Sequence, residues 1–396
     1  MNFIFVSPNF PTIYSQFVKE LRKNGATVLG IGDTPFENTN NELKEFLNEY
    51  YYVHDLNNNY EMEQAVRYFE QKYGHIDFLE SNNEFWLMKD AELREKFGID
   101  TGFYPKDMEH IKYKSKMKEY FQKAGCKVAR YILVSTLEES LKFAAEVGYP
   151  LFVKPDNGVG AAHSYKISNE EELRAFHNQP LETIYIMEEF VDGDLMSFDG
   201  VCNLEGDVVV AVNEHFPVPI AEIVNNGLDL YYYCDSSMPD SFRKLGERVV
   251  KSFGISKRCF HIEFFKLKKS KTGLGRKGDI IGLEVNMRSP GGDTPELICL
   301  SLGQSYYKIY ADTICFNKST IPFNKDSASI AISVSTRKNH STKHTHDEII
   351  AKYGEHIKIQ GSYPEAIARA MGDYFYFATF KTVEEALEFK DFILLN

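Results

Sequence analysis

Short apolar runs alternate with helix-period stretches over the first hundred residues. Residues 3–6 and 27–31 read as strands, with a helix over 13–24 that Gly25 ends. Helices follow at 42–50 and 61–73, with short strands at 51–53 and 78–79. This alternation predicts a doubly wound parallel sheet. The turn after the first strand, Ser7-Pro-Asn-Phe-Pro11, holds no glycine, which disfavours a dinucleotide fingerprint. Residues 82–97 predict a helix in which Trp86 and Leu87 serve the core.

After Gly98 the pattern restarts with a lysine-rich helix at 111–123 and an amphipathic helix at 137–147. The stretch 184–265 is strand-rich, with the clearest runs at 184–187, 208–212 and 261–265. Residues 268–279 are basic and glycine-punctuated, predicting an exposed hairpin loop between two core strands. Strands at 327–334, 357–360 and 374–380 mix with helices at 347–353 and 383–392, a small C-terminal α+β cap. The expected divisions are 1–105, 106–190, 191–325 and 326–396.

At 396 residues the chain is long enough for two or three domains sharing an interface. Its formal charge of −12 sets up a field that repels a phosphate backbone, so nucleic acid is not an expected partner. The six cysteines are scattered without a C-x-x-C pair, and Cys202, Cys259 and Cys299 sit in apolar runs, which predicts reduced thiols in a cytoplasmic protein. No apolar stretch is long enough to span a membrane, and the amino-terminal residues lack a charged leader pattern.

The chemistry begins at Glu284-Val-Asn286-Met-Arg288. On a strand, Glu284, Asn286 and Arg288 share one face while Leu283, Val285 and Met287 share the other. A carboxylate and an amide oxygen at this spacing suit Mg²⁺, and the arginine fork suits an anionic intermediate. Ser289-Pro-Gly-Gly-Asp293 follows, whose glycines let backbone amides approach an oxyanion. On residues 260–265, His261, Glu263 and Phe265 share a face. If the two strands pair across the basic loop, Glu263 and Glu284 meet at one metal. His261 reads better as a satisfied structural histidine than as a ligand.

Lys154 ends a hydrophobic strand, where a buried ammonium needs an anion, and Asp156–Ser164 is a loop of small residues able to fold over phosphates. Lys114 by itself reads as one solvated charge among Lys112, Lys116 and Lys118. Glu188-Glu-Phe-Val191 ends another strand, whose backbone can read an adenine edge, with Asp194 beyond it; taken alone it reads better as a sheet edge with solvated acids. Asn213–Val218 and 221–235 are candidate pocket linings and equally ordinary loops. His340, His344 and His346 read as a polar surface loop rather than a metal site.

In this order, Lys114, Lys154 with its glycine-rich loop, Glu188–Val191, Glu263 and Glu284-x-Asn286-x-Arg288 resemble the ATP-grasp superfamily, most closely its biotin-carboxylase-like carboxylate–amine ligases. The resemblance covers essentially the whole chain. It implies a pre-ATP-grasp α/β domain, an ATP-grasp domain with a mobile lid, and the small cap. It implies ATP contacts from Lys114, Lys154, Gly158, Gly160, His163, Ser164, Glu188, Glu189, Phe190, Val191 and Asp194. Glu263, Glu284 and Asn286 would hold one or two Mg²⁺ ions, with Mn²⁺ as a substitute, and Arg288 would be catalytic. Biotin-using members continue with Gln-Val-Glu where this chain has Ser289-Pro-Gly-Gly292, and an acid is common where Tyr113 precedes Lys114. The implied activity is ADP-forming ligation of a small carboxylate to an amine through an acyl phosphate, with a homodimer by analogy. Carboxylation through carboxyphosphate is the competing reaction, and a non-catalytic ATP sensor the competing class; the retained Glu263, Glu284 and Asn286 argue against the sensor.

Overall fold

A computed structural model describes residues 1–158, 163–217, 223, 227–322 and 327–395. The strands Asn2–Val6, Thr27–Gly32, Glu49–Tyr52 and Phe78–Glu80 form a parallel sheet in the order third, second, first, fourth. The strand order reverses beside the first strand, so its carboxyl edge, at Ser7 and Ser81, is where such a sheet presents a crevice. Ser7 and Asn82 at that edge both adopt positive φ, at 53° and 52°, a conformation non-glycine residues hold only when their surroundings enforce it.

Two helices differ from expectation. The helix expected over 42–50 stops at Phe46, and Tyr50 belongs to a strand. Asn48 causes this, because its N–H donates to the Val28 carbonyl and its Oδ1 accepts from the Val28 N–H, both at 2.8 Å. The helix expected over 111–123 is two, Met108–Lys112 and Lys114–Lys123, broken at an extended Tyr113. There the Lys114 N–H donates to the Asp156 carbonyl at 2.9 Å, which fastens the second helix's first residue to the lysine loop.

The centre is a nine-stranded sheet in the order Ile357–Ser362, Tyr374–Phe380, Ile330–Thr336, Leu230–Asp235, Val208–Phe216, Gly193–Cys202, Arg258–Leu267, Ile280–Asn286, Lys127–Val128. All neighbours are antiparallel except the last pair. The cap strands therefore extend the core ladder. One face of this sheet packs on the helices Ser15–Lys23, Thr294–Leu302 and Tyr306–Phe316; the other covers Lys114–Lys123 and Asp240–Ser252. A separate four-stranded antiparallel sheet, Tyr131–Leu133, Tyr185–Glu189, Leu151–Pro155, Tyr165–Ile167, carries its own small core with the helices Leu137–Val147 and Glu170–His177.

A buried charge cluster joins the first sheet to the centre. Glu80 pairs with Arg94 at 3.0 Å and more closely still with Arg258, and all three are at most 1% exposed. The guanidiniums spend further donors on carbonyls, Arg94 on Leu79 and Phe103, Arg258 on Met287. All six cysteines are free, with Cys299 only partly buried. Among the described residues, no helix is long and apolar enough to cross a membrane.

Candidate active site

The two acidic strands are hairpin neighbours. Glu263 lies directly opposite Glu284, and His261 opposite Asn286. Val285 and Met287 are buried on the far face, as the alternation predicts. Leu283 departs from it. A β-bulge leaves Leu283 without a cross-strand partner and half-exposed, and its carbonyl accepts from Lys118 Nζ at 3.2 Å. Next to it, a side chain on Gly282 would collide with the Phe121 ring, so the glycine lets the Lys114–Lys123 helix lie close against the strand.

That helix delivers two lysines inward. Lys114 Nζ donates to the Gly158 carbonyl at 2.9 Å and stands 3.7 Å from Glu284. Lys118, one turn on, is fully buried and contacts Glu188 at 2.5 Å, which corrects its reading as a solvated charge. Lys154, from the separate four-stranded sheet, reaches the other oxygen of Glu188 at 3.0 Å. Burial alone would raise the Glu188 pKa; the two ammoniums override it and hold the carboxyl down to about 2. Burial pulls Lys118 below its ordinary value despite Glu188, whereas Glu188, Glu284 and Glu263 together outweigh burial at Lys154 and raise it. Burial likewise works against the Glu284 carboxylate, yet Lys114 and Lys154 keep its pKa lowered. Asp156 anchors the loop by accepting from the N–H and Oγ of Ser115 at 2.7 and 2.8 Å.

The strand end at 188–191, expected to meet the adenine, uses its acids internally. Glu189 is clamped by Arg130, through Nε at 3.0 Å and Nη2 at 2.8 Å, and by Lys271 at 3.1 Å. Lys271 also donates to the Phe190 carbonyl at 3.0 Å, so the loop 268–279 is not merely exposed but touches the 188–191 strand end. Lys166 sits over the Phe190 ring, and Val191 packs on Leu267, Leu274 and Ile281. His163 is exposed with φ 59°, and Ser164 is half-buried. Gly160 lies outside the described residues. Asp194 stands apart, exposed and paired with Lys268 at 3.0 Å. Arg288 donates to the Ser289 carbonyl and lies 3.9 Å from Glu84.

His261 is indeed satisfied. Its Nδ1 meets Asp199 at 2.6 Å and its Nε2 meets Glu263 at 3.3 Å; these acids overcome burial and raise its pKa to about 10. Asp199 and Glu214, which the sequence did not single out, lie beside it, and the three could together hold a cation. The ladder explains their meeting, since Ser197 faces Glu263 on one side and Glu214 on the other, while Asp199 faces His261. His340, His344 and His346 go separate ways, to Asp229, the Phe392 ring and the Tyr376 hydroxyl.

Residues 111–256 match the family described as ATP-grasp domain. Alanine–anticapsin ligase of Bacillus subtilis is 24% identical over 269 residues, covering 61% of this chain and 55% of the relative. The chain thus spans little more than half the length of the curated relatives it first matches. An arginine-specific carbamoyl phosphate synthase large chain of Neurospora crassa is 26% identical over 44% of this chain and 15% of its own. Among solved structures, L-amino acid ligase from Bacillus licheniformis superposes with a TM-score of 0.69 at 15% identity, covering 98% of this chain and 96% of that one. N5-carboxyaminoimidazole ribonucleotide synthetase from Thermotoga maritima gives 0.68 at 17% identity, covering 99% and 98%. Residues 111–256 are thus similar to an ATP-grasp domain, and the chain as a whole shares the fold of these ligase and synthetase structures.

Proposed function

From that fold, we propose that the protein is an ADP-forming ligase that activates a small carboxylate with Mg-ATP and joins it to an amine. One observation carries the reading: Glu263 and Glu284 stand directly opposite each other on neighbouring strands. Like charges so placed destabilise a ladder, and a divalent cation between them removes that cost. Glu263, Glu284 and the Asn286 amide are the oxygen donors Mg²⁺ prefers, and they would hold one or two ions. An ion held there would supply the positive charge that offsets the charge developing during phosphoryl transfer.

Lys114 and Lys154 reach the same space from opposite sides, one from the core helix and one from the lid sheet, and would neutralise the transferring phosphoryl group. The segment 188–191 would receive the adenine through its backbone, its carboxylates being engaged elsewhere. A carboxylate oxygen attacks the γ-phosphorus, the bond to ADP breaks, and an acyl phosphate results. An amine nitrogen then attacks the acyl carbon, the bond to phosphate breaks, and the nitrogen loses protons to give the amide. Arg288 and the amides of Gly291 and Gly292 would hold the tetrahedral oxyanion, and the 156–164 loop would exclude water. The free thiols suit a cytoplasmic setting.

ADP and phosphate release, measured with pairs of amino acids, tests the proposal, with Glu284→Ala as the control. Release that needs both a carboxylate and an amine, and is lost in the variant, is the expected outcome. Bicarbonate-dependent release without amine would assign carboxylation instead. ATP binding without ADP formation on any panel would leave a sensor.

A further inference from the structure

Where the cap meets the core, the structure holds a cavity of about 510 Å³, a size within the roughly 300–1,000 Å³ of small-molecule sites. None of its lining residues takes part in the proposed ligation. The helix Thr294–Leu302 supplies one wall through Cys299 and Leu300, and the cap supplies the other through His356, Thr379 and Phe380. This lining is mainly apolar. Phe380 is buried, and the His356 ring lies flat against it at 4.6 Å. His356 Nδ1 meets the Thr379 carbonyl at 3.0 Å; a carbonyl only accepts, so Nδ1 carries the proton and the ring is fixed in place. Burial pushes the Cys299 thiol up to about 12, so it stays protonated and lines the wall as a small apolar group.

The polar groups around the cavity favour one sign of charge. A helix end repels anions through its free carbonyls, yet each carbonyl of this last turn already has a donor. Cys299 accepts from the Gln304 N–H, Leu300 from the Gly303 N–H and the Ser329 hydroxyl, Ser301 from the Ser329 N–H, and Leu302 from the Ser327 hydroxyl. The acid in the lining, Glu385, accepts from the N–H groups of Lys381 and Thr382 at 3.0 and 3.2 Å, which spends it on the start of the last helix. Lys358 and Lys381 stand exposed at the edge of the cavity. Among the described residues neither pairs with an acid, and Lys358 donates to the Glu355 carbonyl at 2.6 Å. Both ammoniums can therefore meet an anion supplied from outside. An uncharged apolar molecule would gain nothing from these lysines, and a bare inorganic ion nothing from Phe380 and Leu300.

We infer that this cavity binds a small organic anion, an apolar body carrying one carboxylate, sulfonate or phosphate group, at a site separate from the one that would take ATP. The body lies against Phe380 and Leu300, and the anionic group meets Lys358 and Lys381.

The test titrates anilinonaphthalene sulfonate, whose fluorescence rises in apolar surroundings, into the full chain. Mg-ATP is present throughout, so that a nucleotide site is already filled. Saturable binding is expected. Its Kd should rise about fivefold or more in Lys358→Glu and in Lys381→Glu, since each replaces attraction by repulsion. It should change by less than about twofold in Lys44→Glu, an exposed lysine on the helix Asn41–Phe46. Phenylnaphthylamine, a like body without the sulfonate, should bind the unaltered chain about fivefold more weakly or worse, and should bind all three variants alike. All three lysines are exposed, and circular dichroism checks that the variants fold. No saturable binding, a Kd in the two cavity variants equal to that of Lys44→Glu, or a neutral probe that binds as tightly as the anion would each overturn the site.

Discussion

Glu80 and Glu188 are each a buried carboxylate held between two cations, and they differ in what surrounds them. At the domain junction, Glu80 sits between Arg94 and Arg258, and other guanidinium donors end on backbone carbonyls. In the candidate site, Glu188 sits between Lys118 and Lys154, which come from different layers of the fold. Arginine's fixed fork suits the first arrangement, since it locks three chain segments at once. Lysine's compact, rotatable ammonium suits the second, since it can turn from a carboxylate to an arriving phosphate. The lesson is that burial alone does not separate a structural ion cluster from a functional one; a rigid fork against a rotatable ammonium does.

The sharpest way to break the comparison is to remove each central anion or cation. Glu80→Ala strands two buried guanidiniums and should cost about 3–5 kcal/mol of stability, read by denaturant unfolding; a loss below 1 kcal/mol would deny the junction its structural role. Lys154→Met should fold normally, because Glu188 keeps Lys118, yet lose about 10²–10³-fold in ATP turnover. Loss of folding with turnover per folded molecule preserved would make the two clusters equivalent.

Acid acts on the second cluster. The Glu188 carboxyl is depressed from 4.5 to about 2 in the fold, so its contribution is complete above about pH 4.5 and disappears as pH falls towards 2. This is worth about 3 kcal/mol, and Glu188→Gln should flatten the unfolding free energy across that window. The smallest effect belongs to Lys271→Ala. It removes one of two basic partners of Glu189 and should raise the KM for ATP about two- to fivefold with stability changed by under about 1 kcal/mol.

How legible was this in the sequence? The period-two alternation put Glu263 and Glu284 on facing positions, because a hairpin across a polar loop leaves few registers, and the ladder pairs them. The first parallel sheet was legible for the same local reason. The helix break at Tyr113 was not, since it depends on the hydrogen bond from the Lys114 N–H to Asp156. Lys118 and Lys271 look like any surface lysine in sequence; their burial and contacts are decided by Glu188 and Glu189, acids far along the chain. The one local hint was the four-residue spacing of Lys114 and Lys118, which puts both on one helix face. Asp199 and Glu214 join His261 only through the register of neighbouring strands, information no local window contains.

The bulge at Leu283 has a consequence for how this strand can vary in length. On a regular strand, losing one residue exchanges its two faces, so a deletion at Val285 would turn Asn286 or Glu284 into the apolar core. Leu283 is the spare position. The pairs on either side of it, Phe264 with Gly282 and Glu263 with Glu284, are already aligned without it. The strand can therefore shorten there and keep its acids in phase, giving up the carbonyl that Lys118 uses. Among its neighbours, length variation in this segment is expected at that one point.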